Sequence, residues 1–83
     1  MKLMTERDEK GNLTHERWSD GDERWYGADG RVTHERLSDG TVYWFDGDGH
    51  VTHERRGDGT EFWFYAYGRV TEWKDKNGIL HTN

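Results

Sequence analysis

The chain has 83 residues, 35% charged and 30% apolar, with a formal net charge of -5. That length bounds it to one domain or a stretch of a repeat array, and the acidic balance removes the electrostatic reason to bind nucleic acid or an anionic membrane. The lack of cysteine excludes disulfides and thiolate metal sites, while five Trp, four Tyr and three Phe argue against a disordered chain.

No apolar run approaches the roughly 18–20 residues of a membrane span, and residues 1–7 lack the apolar stretch of a signal peptide. The chain is therefore expected to stay where it is made, in the cytoplasm. From the N-terminus, short runs rich in β-branched and aromatic residues alternate with glycine turns, and no run holds a helical i, i+3, i+4, i+7 pattern. This reading predicts about nine strands, near 2–7, 12–17, 22–27, 31–36, 41–46, 50–55, 60–66, 69–74 and 79–82. Lys2, Glu6, Arg7, Asp8 and Glu9 guard the first as an edge strand; Ile79-Leu80-His81 at the other end is less guarded.

Written in rows of nineteen, the chain aligns Gly11, Gly30, Gly49 and Gly68, and three residues later Thr14, Thr33, Thr52 and Thr71. Leu13, Val32, Val51 and Val70 precede the Thr, and His15, His34, His53 and Glu72 follow it. Glu16, Glu35 and Glu54, then Arg17, Arg36 and Arg55, make the next columns. The aromatic columns are Trp25, Trp44, Trp63 and Tyr26, Phe45, Phe64, with Tyr43 and Phe62 just upstream. The chain thus reads as a single repeat domain: an N-terminal edge strand over 1–10, repeats at 11–29, 30–48 and 49–67, and a partial repeat over 68–83.

Each row carries two turn signals. Asp-Gly at 20–21, 39–40 and 58–59 and Asn-Gly at 77–78 suit the positive φ of hairpin turns, and Lys10-Gly11, Asp29-Gly30, Asp48-Gly49 and Tyr67-Gly68 mark the others. An odd period keeps a column on one face only if one connection per repeat takes an odd step, by a three-residue loop or a bulge. A three-residue loop at Ser38-Asp39-Gly40 is preferred, placing Trp44 between His34 and His53 and Tyr43 between Glu35 and Glu54. If the other turn is the odd one, Trp44 faces the Glu column instead. Either way Trp and Tyr/Phe occupy opposite faces.

Gly-Arg-Val-Thr at 30–33, Asp39-Gly40, then Tyr43-Trp44-Phe45-Asp46 leading into the next glycine resembles the YD repeat of the Rhs family over about residues 11–80. Units of that family carry Gly-Arg-Leu-Thr, a central Asp-Gly and a Tyr-x-Tyr-Asp end. Here the terminal Tyr-Asp survives only as Phe45-Asp46, and is Tyr26-Gly27 and Phe64-Tyr65 in the neighbouring rows. The resemblance implies a hairpin fold; the family builds shells around toxins from long arrays, and nine strands are too few to enclose a cargo domain.

The predicted fold is all-β, a tandem β-hairpin meander that is open and twisted, because a closed barrel would need an apolar interior and these strands are rich in Thr, His, Glu and Arg. A single layer with aromatics on both faces is expected to cover one face with a second copy. His15, His34 and His53, with His50 and His81, invite comparison with metal ligands, but equivalent positions lie two strands apart, roughly 9–10 Å, too far for one tetrahedral ion. No metal and no cofactor is expected. The Thr column similarly invites comparison with ice-binding arrays, against which charged neighbours and twist argue. No serine elbow, phosphate loop or paired catalytic carboxylate is present, so the chain is read as a non-enzyme.

Binding is assigned to an aromatic set, Trp25, Trp44, Trp63, Tyr43, Phe45, Phe62 and Phe64, and to polar columns, His15, His34, His53, Glu35, Glu54, Arg36 and Arg55. The leading expectation is a protein-binding module, a small inhibitor or adaptor of mobile-element or phage origin, that also forms a homodimer. The alternatives are a carbohydrate-binding module with sugars stacked on the Trp column, and a designed or duplicated structural protein without a ligand.

Overall fold

A computed structural model describes residues 2–65 and 69–82. They form nine antiparallel strands in strict sequence order in one sheet: β1 (Lys2–Arg7), β2 (Leu13–Trp18), β3 (Glu23–Tyr26), β4 (Val32–Arg36), β5 (Val42–Phe45), β6 (Val51–Arg55), β7 (Glu61–Tyr65), β8 (Arg69–Lys74) and β9 (Leu80–Thr82). β1 and β9 are free edges, so the sheet is open and not a barrel. Its extents of 43 × 26 × 17 Å agree with eight inter-strand gaps of about 4.8 Å along the long axis. The predicted Tyr67-Gly68 turn and strand position 66 lie outside the described residues.

Seven turns are described, and all are built alike. Within each, residues four apart close a three-residue loop, as in Leu37 N–H to Thr41 O at 2.7 Å and Gly40 N–H to Leu37 O at 2.9 Å. The last loop residue is a glycine at positive φ; Gly40 is at +92°, a conformation side-chain-bearing residues adopt only at a cost. An Asp carboxylate organises every loop. Where the middle residue is Asp20, Asp29, Asp39 or Asp58, it accepts the amide two residues on. Where the closing residue is Asp8, Asp46 or Asp75, its Oδ1 accepts two loop amides. These amides hold Asp8, Asp39, Asp46 and Asp58 below the usual carboxylate range; at Asp75 the His81 ring contributes most, and the Ile79 amide next.

The odd step therefore comes from a different place than a choice between turns suggests. The Ser38-Asp39-Gly40 loop has three residues, but so does Gly47-Asp48-Gly49 at the opposite margin. A β-bulge supplies the compensation: Trp44 pairs with His53 and Phe45 with Val51, so Thr52 is the extra residue. Thr14, Thr33 and Thr71 occupy the same position in their hairpins. This explains the Thr column: its hydroxyl donates across the bulge to a backbone carbonyl, of Glu6, Trp25, Trp44 and Trp63 in turn, at 3.1–3.4 Å. The register is the preferred one, with Trp44 between His34 and His53 and Tyr43 between Glu35 and Glu54.

Along the margin of Asp-Gly turns the loops nest against one another. Ser38 N–H reaches back to Asp22 Oδ1 at 2.9 Å, and a Cβ on Gly57 would fall 2.5 Å from the Asp39 carbonyl. Gly57 is thus required by close approach, where the other rows hold Ser19, Ser38 and Lys76. No described apolar side chain is buried; among the described residues, Glu16, Glu23 and Thr41 are the buried ones. Stability in this single layer rests on cross-strand neighbours.

Candidate functional site

The register assembles two unlike faces, because alternate residues of a strand point to opposite sides. On the first, a row crosses the sheet as Glu6, His15, Trp25, His34, Trp44, His53, Trp63 and Glu72. Its six rings lie nearly parallel. Centroids are 4.7 Å apart for His15–Trp25, 4.2 Å for Trp25–His34, 4.4 Å for Trp44–His53 and 5.0 Å for His53–Trp63. The His34–Trp44 step is wider, at 6.5 Å. An indole thus sits between successive His rings, and both faces of Trp25 are covered by imidazole.

A second row runs beside it: Arg17, Glu23, Arg36, Val42, Arg55, Glu61 and Lys74. Here the repeat locks its histidines. His15 Nε2 lies 2.8 Å from Glu23 Oε2, and His53 Nε2 lies 2.8 Å from Glu61 Oε2. Glu23 also takes a hydrogen bond from Arg36 and is 8% exposed. The equivalent neighbour of His34 is Val42. Burial, and then the charge of His15, hold His34 below the ordinary histidine value.

The opposite face carries the row Thr5, Glu16, Arg24, Glu35, Tyr43, Glu54, Phe62, Trp73 and His81. Beside it lie the bulge-flanking pairs Tyr26–Val32, Phe45–Val51 and Phe64–Val70. Polar groups on this face are tied down. Glu16, 4% exposed, accepts from Lys2 and from the Tyr26 hydroxyl, which lower its pKa in that order. Those partners are side chains lying over it, since no second layer exists. Burial raises Tyr26, and the Glu16 carboxylate adds to the effect. Arg24 pairs with Glu35 and lies 5.0 Å over the Trp18 ring, and Arg56 pairs with Glu54 at 3.0 Å and covers Phe62 at 4.6 Å. Phe62, Trp73 and His81 stack at 6.1 and 4.2 Å. A shallow groove of about 550 Å³ is lined by Arg24, Arg31, Val32, Glu35, Phe45 and Asp48.

Of the residues singled out from sequence, Trp25, Trp44, Trp63, His15, His34, His53, Arg36 and Arg55 share the first face. Tyr43, Phe45, Phe62, Phe64, Glu35 and Glu54 share the second. His50 stands apart at a turn beside Asp46, and His81, on β9, ends the row of the second face against Trp73 and beside Asp75. Asp46, Asp48 and His50 bring ligand-type atoms within 4.8 Å of one another, but Asp46 Oδ1 already caps the loop amides. The missed residues are Glu23 and Glu61. Their signal was available as a carboxylate eight residues after a His in two rows, with Val42 and Leu80 in the other two.

Compared with known proteins, the chain matches no protein-family model and no curated sequence. The likeness to YD repeats rests on the residues quoted for it.

Proposed function

We propose that the chain is a non-enzymatic protein-binding module whose Tyr/Phe face is covered by a second copy and whose His/Trp face meets a partner protein. The observation that carries this reading is a nine-stranded sheet in which no described apolar side chain is fully buried on either face. A sheet stabilises itself by covering one side. The 43 × 26 Å outline gives each face on the order of 1,000 Å², above the roughly 800 Å² per partner of a standard interface.

The Tyr/Phe face suits the second copy: Tyr26, Val32, Phe45, Val51, Phe64 and Val70 are half-buried on it, and its Arg24–Glu35 and Arg56–Glu54 pairs are already neutralised within the copy, so covering them leaves no lone charge. The His/Trp face suits a protein partner better than a sugar, since stacking on a sugar needs a free indole face and Trp25 has none. Small inhibitors and adaptors, including those of mobile elements and phages, work through such surfaces, and this chain is proposed to belong among them, acting in the cytoplasm. Sedimentation of the chain with and without Phe45→Glu tests the arrangement: the wild type runs as a dimer and the variant as a folded monomer. Two species of equal, monomeric mass would overturn it.

A further inference from the structure

Three hairpins repeat one arrangement with a single exception. In β2–β3 and β6–β7 a carboxylate stands diagonally across from the His ring, 2.8 Å from its Nε2. In β4–β5 the register is identical, His34 opposite Trp44 and Arg36 opposite Val42, yet the diagonal position holds Val42. Arg36 is opposite Glu23 on β3 and donates to it; Arg55 lies between Val42 on β5 and Glu61 on β7, Glu61 is held by His53, and Arg55 has no ion-pair partner among the described residues. His34 Nδ1 is 3.3 Å from Thr33 Oγ1, and its Nε2 has no hydrogen bond among the described residues. The ring stack also opens here, to 6.5 Å between His34 and Trp44.

We propose that the position over Val42, bounded by His34, Arg36 and Arg55, accepts one Asp or Glu side chain from an acidic segment of a partner protein. The proposal rests on the reading of the His/Trp face as the recognition surface, and names the chemistry that surface selects. A carboxylate set there would occupy the place that Glu23 and Glu61 fill in the flanking hairpins, with Arg55 as a charged donor and the His34 ring, protonated in response to the incoming charge, donating from Nε2. The groups facing His34 are His15 and Glu23 from β2 and β3, Arg36 on its own strand, and His53 and Arg55 on β6, with Glu61 opposite Arg55 on β7; Glu23 is engaged by His15 and Arg36, and Glu61 by His53. In a chain of net charge -5, Arg55 brings positive charge to the edge of Val42. Val42 supplies an apolar floor that keeps the site from satisfying itself.

The test is an NMR titration of the intact chain with an acetylated Gly-Glu-Gly amide and its Gly-Gln-Gly counterpart. The His34 ring and Arg55 side-chain signals are expected to shift with the Glu peptide and to stay with the Gln peptide. Val42→Glu completes the repeat in cis, so it keeps the sheet's signals, raises the His34 titration midpoint and removes the peptide response. Arg55→Gln weakens the response by roughly tenfold. An equal response to the Gln peptide, a response retained in Val42→Glu, or inorganic phosphate acting as strongly as the Glu peptide would overturn the carboxylate assignment. Shifts spread over other rings of the same face would also overturn it while leaving the face a recognition surface. The sedimentation result for Phe45→Glu is independent of all of these.

Discussion

The two faces of this sheet are made from the same strands and differ in how they use aromatic rings. On the His/Trp face, six rings stack on one another, and two of the three histidines are fixed by carboxylates. The rings satisfy each other and present their edges. On the Tyr/Phe face, Tyr43, Phe45, Phe62 and Phe64 are as half-buried as the stacked rings, but stand among ion pairs, with Arg56 over Phe62 and Phe62 against Trp73. One face therefore supplies the internal cohesion of a layer without a core, and the other supplies apolar surface that a second layer can cover. The difference traces to the bulge at each Thr, without which the Trp and Tyr/Phe columns would change sides from one repeat to the next.

The comparison is broken most severely at Trp25. It has close imidazole neighbours on both sides, so Trp25→Ala is expected to cost about 3 kcal/mol in urea unfolding, from lost burial plus two stacking contacts. Trp44→Ala, with one close neighbour, costs less; equal losses would show that the stack does not carry the cohesion. Phe45→Ala sharpens the contrast from the other side. Its effect is expected to depend on protein concentration, since it acts through association of two copies, whereas the Trp25→Ala loss is the same at every concentration.

Smaller effects separate the bulge from the faces. Thr52→Val removes the hydroxyl that donates to the Trp44 carbonyl at 3.4 Å, and is expected to cost about 1 kcal/mol with the register retained. Acid titration gives the last and broadest effect. Asp8, Asp39, Asp46, Asp58 and Asp75 have lowered folded-state pKa values, so their contribution is present above the unfolded carboxylate value and is lost as pH falls through the folded ones, below about 4. His34 has the same sign: its folded value lies below the ordinary 6.5, so its neutral ring favours the fold above that pH, and the advantage is lost as pH falls through the lowered value. Stability that holds constant from neutral pH down to the carboxylate range would contradict the placement of His34 between two indoles.

Much of this architecture is legible in the chain because glycine and Asp columns mark turns and an odd period restricts register. The strands predicted from these columns lie within one or two residues of those observed. What sequence could not apportion was the odd step, since a three-residue loop and a two-residue loop share the same Asp-Gly signal; the threonines that resolve it look like ordinary strand residues. The Glu23 and Glu61 clamps were hidden for another reason. Their partners are diagonal across a hairpin, so the pairing becomes visible only when register is known, and Val42 passes as a normal strand residue until its neighbours are placed.

The account turns on one face being covered by a second copy while the other stays open. Sedimentation equilibrium on the wild-type chain, Phe45→Glu and Trp63→Glu measures this directly. The expected result is a dimer for the wild type and for Trp63→Glu, and a monomer for Phe45→Glu. A wild-type chain that is monomeric at micromolar concentration and still unfolds cooperatively would contradict it.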